Sequence, residues 1–212
     1  MKRQSCFCLA LALMVVMPST SQAVVELTTN GGFETGDFTG WTQFPTGAGQ
    51  QTVTNINPSS GTWSANINNQ QQASNSLIKQ ANLGIGTVTA GQTVTIKFDA
   101  RGSLGVGAVA FAEFFSELSG GGVSSAVILG GSPLALNSNP NAWKSFTFTT
   151  VTGPNVSGGV TLQLGATTAA IQGSTNNMSY DNVSVTVVPE PATMAFLGAG
   201  ALALMRRRKA RA

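Results

Sequence analysis

The sequence has no histidine, and its two cysteines, Cys6 and Cys8, stand together close to the first residue. Beyond position 8 the chain offers neither thiol nor imidazole. Disulfides, thiol nucleophiles, histidine general bases and zinc held by His or Cys are therefore excluded from the rest of it. Charge is scarce as well, with Asp, Glu, Lys and Arg making up 9% of the 212 residues. The formal net charge of +3 belongs to the two ends, Lys2 and Arg3 at the front and Arg206, Arg207, Arg208, Lys209 and Arg211 at the back. Between residues 24 and 188 the cations are Lys79, Lys97, Arg101 and Lys144, and the anions are Glu26, Glu34, Asp37, Asp99, Glu113, Glu117 and Asp181. Four against seven gives −3 for the middle. Nucleic acid is excluded as a partner, because phosphate binding needs clustered Lys and Arg.

The two ends have their own logic. MKRQSCFCLALALMVVMPSTSQA begins basic, continues with an apolar run from about Phe7 to Met17, and then breaks at Pro18 into small polar residues. That order is the pattern of a secretory signal peptide, with Ser21 and Ala23 as the small residues before a cleavage site. The apolar run is too short for a hydrocarbon core of roughly 30 Å. Both cysteines lie inside this segment, at the wrong end for a lipoprotein. At the other end, VVPEPATMAFLGAGALALMRRRKARA sets Pro189 and Pro191 around Glu190, so no strand continues there. Ala192 to Met205 is an apolar and small-residue run of fourteen positions, about 21 Å as a helix. The basic cluster after it would stay cytoplasmic by the positive-inside rule.

Pro189, Glu190 and Pro191, the hydrophobic segment and the basic stop Arg206, Arg207, Arg208 and Lys209 together resemble the PEP-CTERM sorting signal of bacterial exported proteins. The resemblance implies recognition by an exosortase-like membrane protease, which removes the tail. It also implies a setting of extracellular polysaccharide. The expected organisation is a signal peptide over 1–23, a β-sandwich domain over 24–187 and a sorting and anchor segment over 188–212. Signal peptidase and the sorting protease are the expected partners. The expected location is the membrane before processing and the cell surface or extracellular matrix after it.

Between these ends the dominant period is two. Val94, Ile96 and Phe98 alternate with Thr93, Thr95, Lys97 and Asp99, which places Asp99 on an exposed face. Phe146 and Phe148 share a face, as do Val160, Leu162 and Leu164, and Val183, Val185 and Val187. A helix over AVAFAEFFSEL, residues 108 to 118, would set Glu113 and Glu117 one turn apart as like charges. A buried strand running into a turn at the glycines of SGGG is the better reading. NPSSGTWSANINNQQQASNS reads as loop around one strand carrying Trp63, Ala65 and Ile67. Many short strands with one wet face predict an all-β antiparallel sandwich of jelly-roll type.

NGGFETGDFTGWT, then IKQANLGIGTVTAGQTVTIKFDARG, WKSFTFTT and SYDNVSV resemble, in that order, galactose-binding-like jelly rolls, carbohydrate-binding modules among them. The resemblance implies a structural calcium near the first and last strands. The matching positions are Glu34 and Asp181, with backbone carbonyls completing a shell of six to eight oxygens. It also raises binding of extracellular polysaccharide. Sugar binding needs aromatic rings for pyranose faces and amides for hydroxyls. Trp41 and Trp63 read as core, whereas Trp143 opens one strand and Tyr180 the last, so these two are the ligand-binding candidates. Catalysis would have to use carboxylates, and Glu113 and Glu117 are the close pair. A surface turn explains them better, so no enzyme is expected. The function read from the sequence is an exported, non-catalytic surface or matrix protein, with a carbohydrate-binding module-like protein as the alternative. The signal-peptide reading places the mature start at Val24. Mass spectrometry of the exported product checks it, and a retained 1–23 segment contradicts it.

Overall fold

The computed structural model describes residues 23–188. The expected signal peptide and the sorting segment, with its PEP motif, apolar run and basic stop, lie outside the described residues apart from Ala23 and Val188. Within them the chain folds as two antiparallel sheets packed face to face. One sheet contains β1 (Val25–Glu26), β3 (Gly49–Thr54), β4 (Ser64–Asn69), β6 (Thr93–Leu104), β9 (Lys144–Val151) and β11 (Asn176–Val187). Its order is β3-β4-β11-β6-β9, with β1 added to the far end of β11. The second contains β2 (Thr42–Thr46), β5 (Asn75–Leu83), β7 (Val109–Glu117), β8 (Val123–Ile128) and β10 (Val160–Thr167), in the order β2-β5-β10-β7-β8. A single 3₁₀ turn, Leu129–Gly131, is the only helical element among the described residues. No helix among them is long and apolar enough to cross a membrane.

The predicted alternation is what closes the core. Val94, Ile96 and Phe98 of β6 and Val160, Leu162 and Leu164 of β10 are all buried in the one core between the sheets. The segment 109–117 is a strand, with Ala110, Ala112 and Phe114 inward and the turn at the glycines after Leu118. A helix would have wrapped these small inward residues around all sides, whereas the strand sets them on one face. Phe98 anchors the aromatic part of the core, 5.3 Å from Phe146 and 6.0 Å from Tyr180 between ring centroids.

Tyr180 departs from its sequence reading. It is fully buried rather than wet, and its hydroxyl crosses the core to donate to Gly165 O at 3.0 Å. A phenol inside a sandwich needs such an acceptor, and the period-two phase of β11 points it there. Tyr180 is therefore a tie between sheets and cannot stack on a ligand. Asn69 makes a second tie, donating to Ala166 O and Asn176 Oδ1.

β11 is bulged between Asp181 and Ser184, with Asn182 at φ 50°. The bulge fits the incoming chain: Val183 N donates to Gly31 O at 2.9 Å, and any side chain at Gly31 would collide with the Val183 carbonyl. Glu26 then fastens β1, accepting from Val185 N and Ser184 Oγ. Burial works to raise its pKa, but the hydrogen bonds from Ser184, Thr28 and Val185 outweigh that and hold it below the ordinary carboxylate value.

Candidate functional site

The outward residues of the five-stranded sheet form rows that can be read from the strand register. Phe44, Leu77, Gly165 and Phe111 lie side by side across β2, β5, β10 and β7. The next row is Thr42, Lys79, Gln163, Glu113 and Ile128. Beyond it, Phe115 lies between Thr161 and Ala126. Phe44 is 39% exposed, and Leu77, Phe111 and Phe115 are half-buried. Gly165 leaves room for this arrangement, because a Cβ there would collide with Leu77 and crowd Phe111. The polar row is tied internally. Gln163 Nε2 donates to Glu113 Oε2 at 2.6 Å, and Lys79 Nζ lies 4.7 Å from the Phe44 ring centroid. The result is a polar stripe between two aromatic margins.

Glu113 and Glu117 both face outward on β7, four residues apart in an extended strand. At about 3.3 Å per residue their Cα atoms stand roughly 13 Å apart.

The outer face of the six-stranded sheet is different. Its rows are Gln50, Asn68, Asn177, Ser103 and Thr52, Asn66, Ser179, Arg101. Trp143 sits at the corner of this face, half-buried. Its indole N–H donates to Asn57 O at 3.0 Å, and the Arg101 guanidinium covers its ring at 5.1 Å from the centroid. Trp143 is thus near a polar surface, as its sequence position suggested, but one ring face is already taken. Trp41 is core as expected, whereas Trp63 is half-buried where β4 begins and lies under Gly36.

Glu34 and Asp181 do come together. A side chain at Gly32 would lie 3.6 Å from Glu34 Cγ and 3.8 Å from Asp181 Oδ1. Asp181 is fully buried and accepts from the backbone N–H groups of Ser59 (2.8 Å), Ser60 (3.1 Å) and Asn182 (2.7 Å). Glu34 accepts from Thr62 N and Trp63 N. Burial, helped by the charge of Asp99, pushes the Asp181 carboxyl above its ordinary value despite those three donors.

Asp99 is not the free surface residue that the alternation implied. Its oxygens accept from Ser145 Oγ, Ser59 Oγ and Asn182 Nδ2. Burial opposes them, but together they hold its pKa below the ordinary value. The cause of the difference is the loop before β4, which folds over this part of the sheet. No group of three or more Asp, Glu, His or Cys placed to hold a metal occurs among the described residues. A calcium ion there would draw on the carboxylates of Glu34 and Asp181 with backbone carbonyls and water, sharing oxygens that already accept backbone N–H groups.

The surface rows were not legible beforehand. Phe44, Leu77, Phe111 and Phe115 come from three strands whose order in the sheet no local pattern encodes. The alternation in AVAFAEFF did place Phe111, Glu113 and Phe115 on one side.

Residues 187–209 match the family model described as the PEP-CTERM protein-sorting motif. A search of curated proteins finds no significant match. Among solved structures, a xylan-binding domain, CBM22-1 of Paenibacillus barcinonensis Xyn10C, is 15% identical with a TM-score of 0.55, covering 80% of this chain and 98% of that one. The Stig cyclase Fisc from Fischerella sp. TAU is 17% identical with a TM-score of 0.54, covering 79% and 99%. The enzymatically active domain of tailspike protein 4 from bacteriophage CBA120 is 13% identical with a TM-score of 0.58, covering 77% of this chain. The chain spans about a fifth of that tailspike domain, 21% of its length. A binding module, a cyclase and part of a tailspike share the sandwich, so the likeness shows the fold and leaves the activity to the surface chemistry. The chain carries a PEP-CTERM protein-sorting motif, which marks exported proteins, behind an antiparallel two-sheet sandwich with the fold of carbohydrate-binding modules.

Proposed function

We propose that this is an exported, non-catalytic surface or matrix protein, released from its sorting tail by an exosortase-like protease. Its sandwich holds extracellular polysaccharide against the outer face of the five-stranded sheet. The observation that carries this reading is the polar stripe of Lys79, Gln163 and Glu113 between the aromatic margins of Phe44 with Phe111 and of Phe115. Rings at that position can lie against the apolar faces of pyranoses, while the amide, ammonium and carboxylate take hydroxyls. The CBM22-1 neighbour, a xylan-binding domain, supports the class of ligand.

The described strands and the core between them close within residues 25–187, so the 24–188 body can be produced and measured alone. It is expected to bind at least one neutral polysaccharide of a broad panel. Phe111→Ala and Phe115→Ala should each weaken that binding about two- to tenfold, since ring stacking contributes roughly 0.5–1.5 kcal/mol beyond area burial. Unchanged melting temperatures would certify the variants. A blank panel, or full binding by both variants, contradicts the proposal.

Calcium between Glu34 and Asp181 belongs to the same proposal, supported by their convergence on Gly32. A cation bound to the folded state raises its stability by mass action. Thermal melts of the body in calcium and in chelator should differ by several degrees. Asp181→Ala should abolish the difference, and Glu113→Gln, on the opposite sheet, should leave it intact. Asp99→Ala is no suitable control, because Asp99 shares Ser59 and Asn182 with the same loop. Identical melts in calcium and chelator would remove the ion.

A further inference from the structure

A cleft of about 510 Å³ lies on the outer face of the six-stranded sheet, opposite the aromatic margins. Its floor is the row Thr52, Asn66, Ser179, Arg101, and its wall is the turn at Pro140 and Asn141. Arg101 is the only charged residue among those lining it. The guanidinium is fixed from two sides: Nη2 donates to Ile56 O at 2.9 Å, and the plane lies over the Trp143 ring. Its Nε–H is buried and has no acceptor. Asp99, the preceding outward residue of β6, spends its oxygens on Ser59, Ser145 and Asn182 instead.

An unpartnered buried donor on a cation is costly, and Arg101 is half-buried and lines the cleft, where an acceptor could reach the rest of its guanidinium. Burial also pulls the Arg101 pKa down, as expected of a cation with no counter-charge. Beside it, the Asn66 amide N–H₂ is spent on Asn177 Oδ1, Met178 O and Ser179 Oγ. The other halves of that amide pair, Asn66 Oδ1 and Asn177 Nδ2, have no protein partner among the described residues. One cation and an amide pair, side by side on a rigid sheet, fit a ring that carries both a carboxylate and hydroxyls.

We infer that this cleft is a second saccharide site, separate from the five-stranded face, which takes a uronate through Arg101 and its hydroxyls through Asn66 and Asn177. Planar guanidinium matches planar carboxylate, and lysine would not. The recognition is local, because the body carries seven anions against four cations and draws no acidic polymer from a distance.

The test is calorimetric titration of the 24–188 body with hexagalacturonate and with its fully methyl-esterified form, which keeps the hydroxyls and removes the charge. The acid should bind, more weakly as salt is raised. The ester should bind at least about tenfold more weakly, the equivalent of losing one charge-assisted pair. Arg101→Gln should lose the acid by a similar factor, and Phe111→Ala should not affect it. No binding of the acid, equal binding of the ester, or unchanged binding by a folded Arg101→Gln variant overturns the site. A loss on Phe111→Ala overturns it too, since the ligand would then lie on the other sheet. If Arg101→Gln does not fold, the acid and ester comparison on the unaltered body decides. Neutral polysaccharide lost by Phe111→Ala is a separate result and leaves this one standing.

Discussion

The buried carboxylate of Asp181 organises both ends of the body. It stands on β11, which pairs with β1, β4 and β6, and it takes the N–H groups of Ser59 and Ser60. The loop continues into Thr62 and Trp63, whose N–H groups go to Glu34 in the opening segment. A run of loop amides is thus held by two carboxylates nearly 150 positions apart, Glu34 and Asp181. The same loop presents Ile56 O to Arg101 and Asn57 O to Trp143. The corner of the polar cleft therefore depends on a carboxylate that never reaches the surface. An unpaired charge at that depth would cost several kcal/mol, so its donors are a requirement of the fold.

The two outer faces divide the chemistry of the body. Sheet interiors are apolar on both sides of the core, and the difference lies in what each sheet turns to water. The five-stranded sheet shows phenylalanines around a polar stripe, and the six-stranded sheet shows amides, hydroxyls, Lys97 and Arg101. Carboxylates gather on the six-stranded side, where Asp99 and Asp181 share Ser59 and Asn182. The PEP-CTERM motif behind the sandwich marks an exported protein.

Much of the core was legible in the sequence because its strands alternate cleanly. Val94, Ile96, Phe98 and Val183, Val185, Val187 are β-branched or aromatic, and each set turned inward as the period required. β3, GQQTVT, escaped notice because it is poor in such residues. β4, SANINN, was read as a strand from Ala65 and Ile67, and with Asn66 and Asn68 outward and Asn69 buried it lies inside a sheet between β3 and β11. Its place there comes from pairing and from the side-chain bonds of its asparagines rather than from propensity. β2 contains Pro45, which only an edge strand tolerates, and β2 is an edge. Tyr180 was misread because strand phase decides inside from outside, and the bulge that follows it hides that phase. Glu34 and Asp181 were paired through the family resemblance. Asp99 was taken as free because no local pattern reveals a loop folding back from forty positions away.

If the sandwich is cargo of the motif at 187–209, the intact mass of the protein from a host carrying the matching protease shows it most directly. The native chain should yield a body that lacks Ala192–Ala212, and replacing Pro189, Glu190 and Pro191 with alanine should leave it membrane-bound with Arg206–Arg211 still attached. Equal release of the native and the alanine-substituted proteins would contradict it.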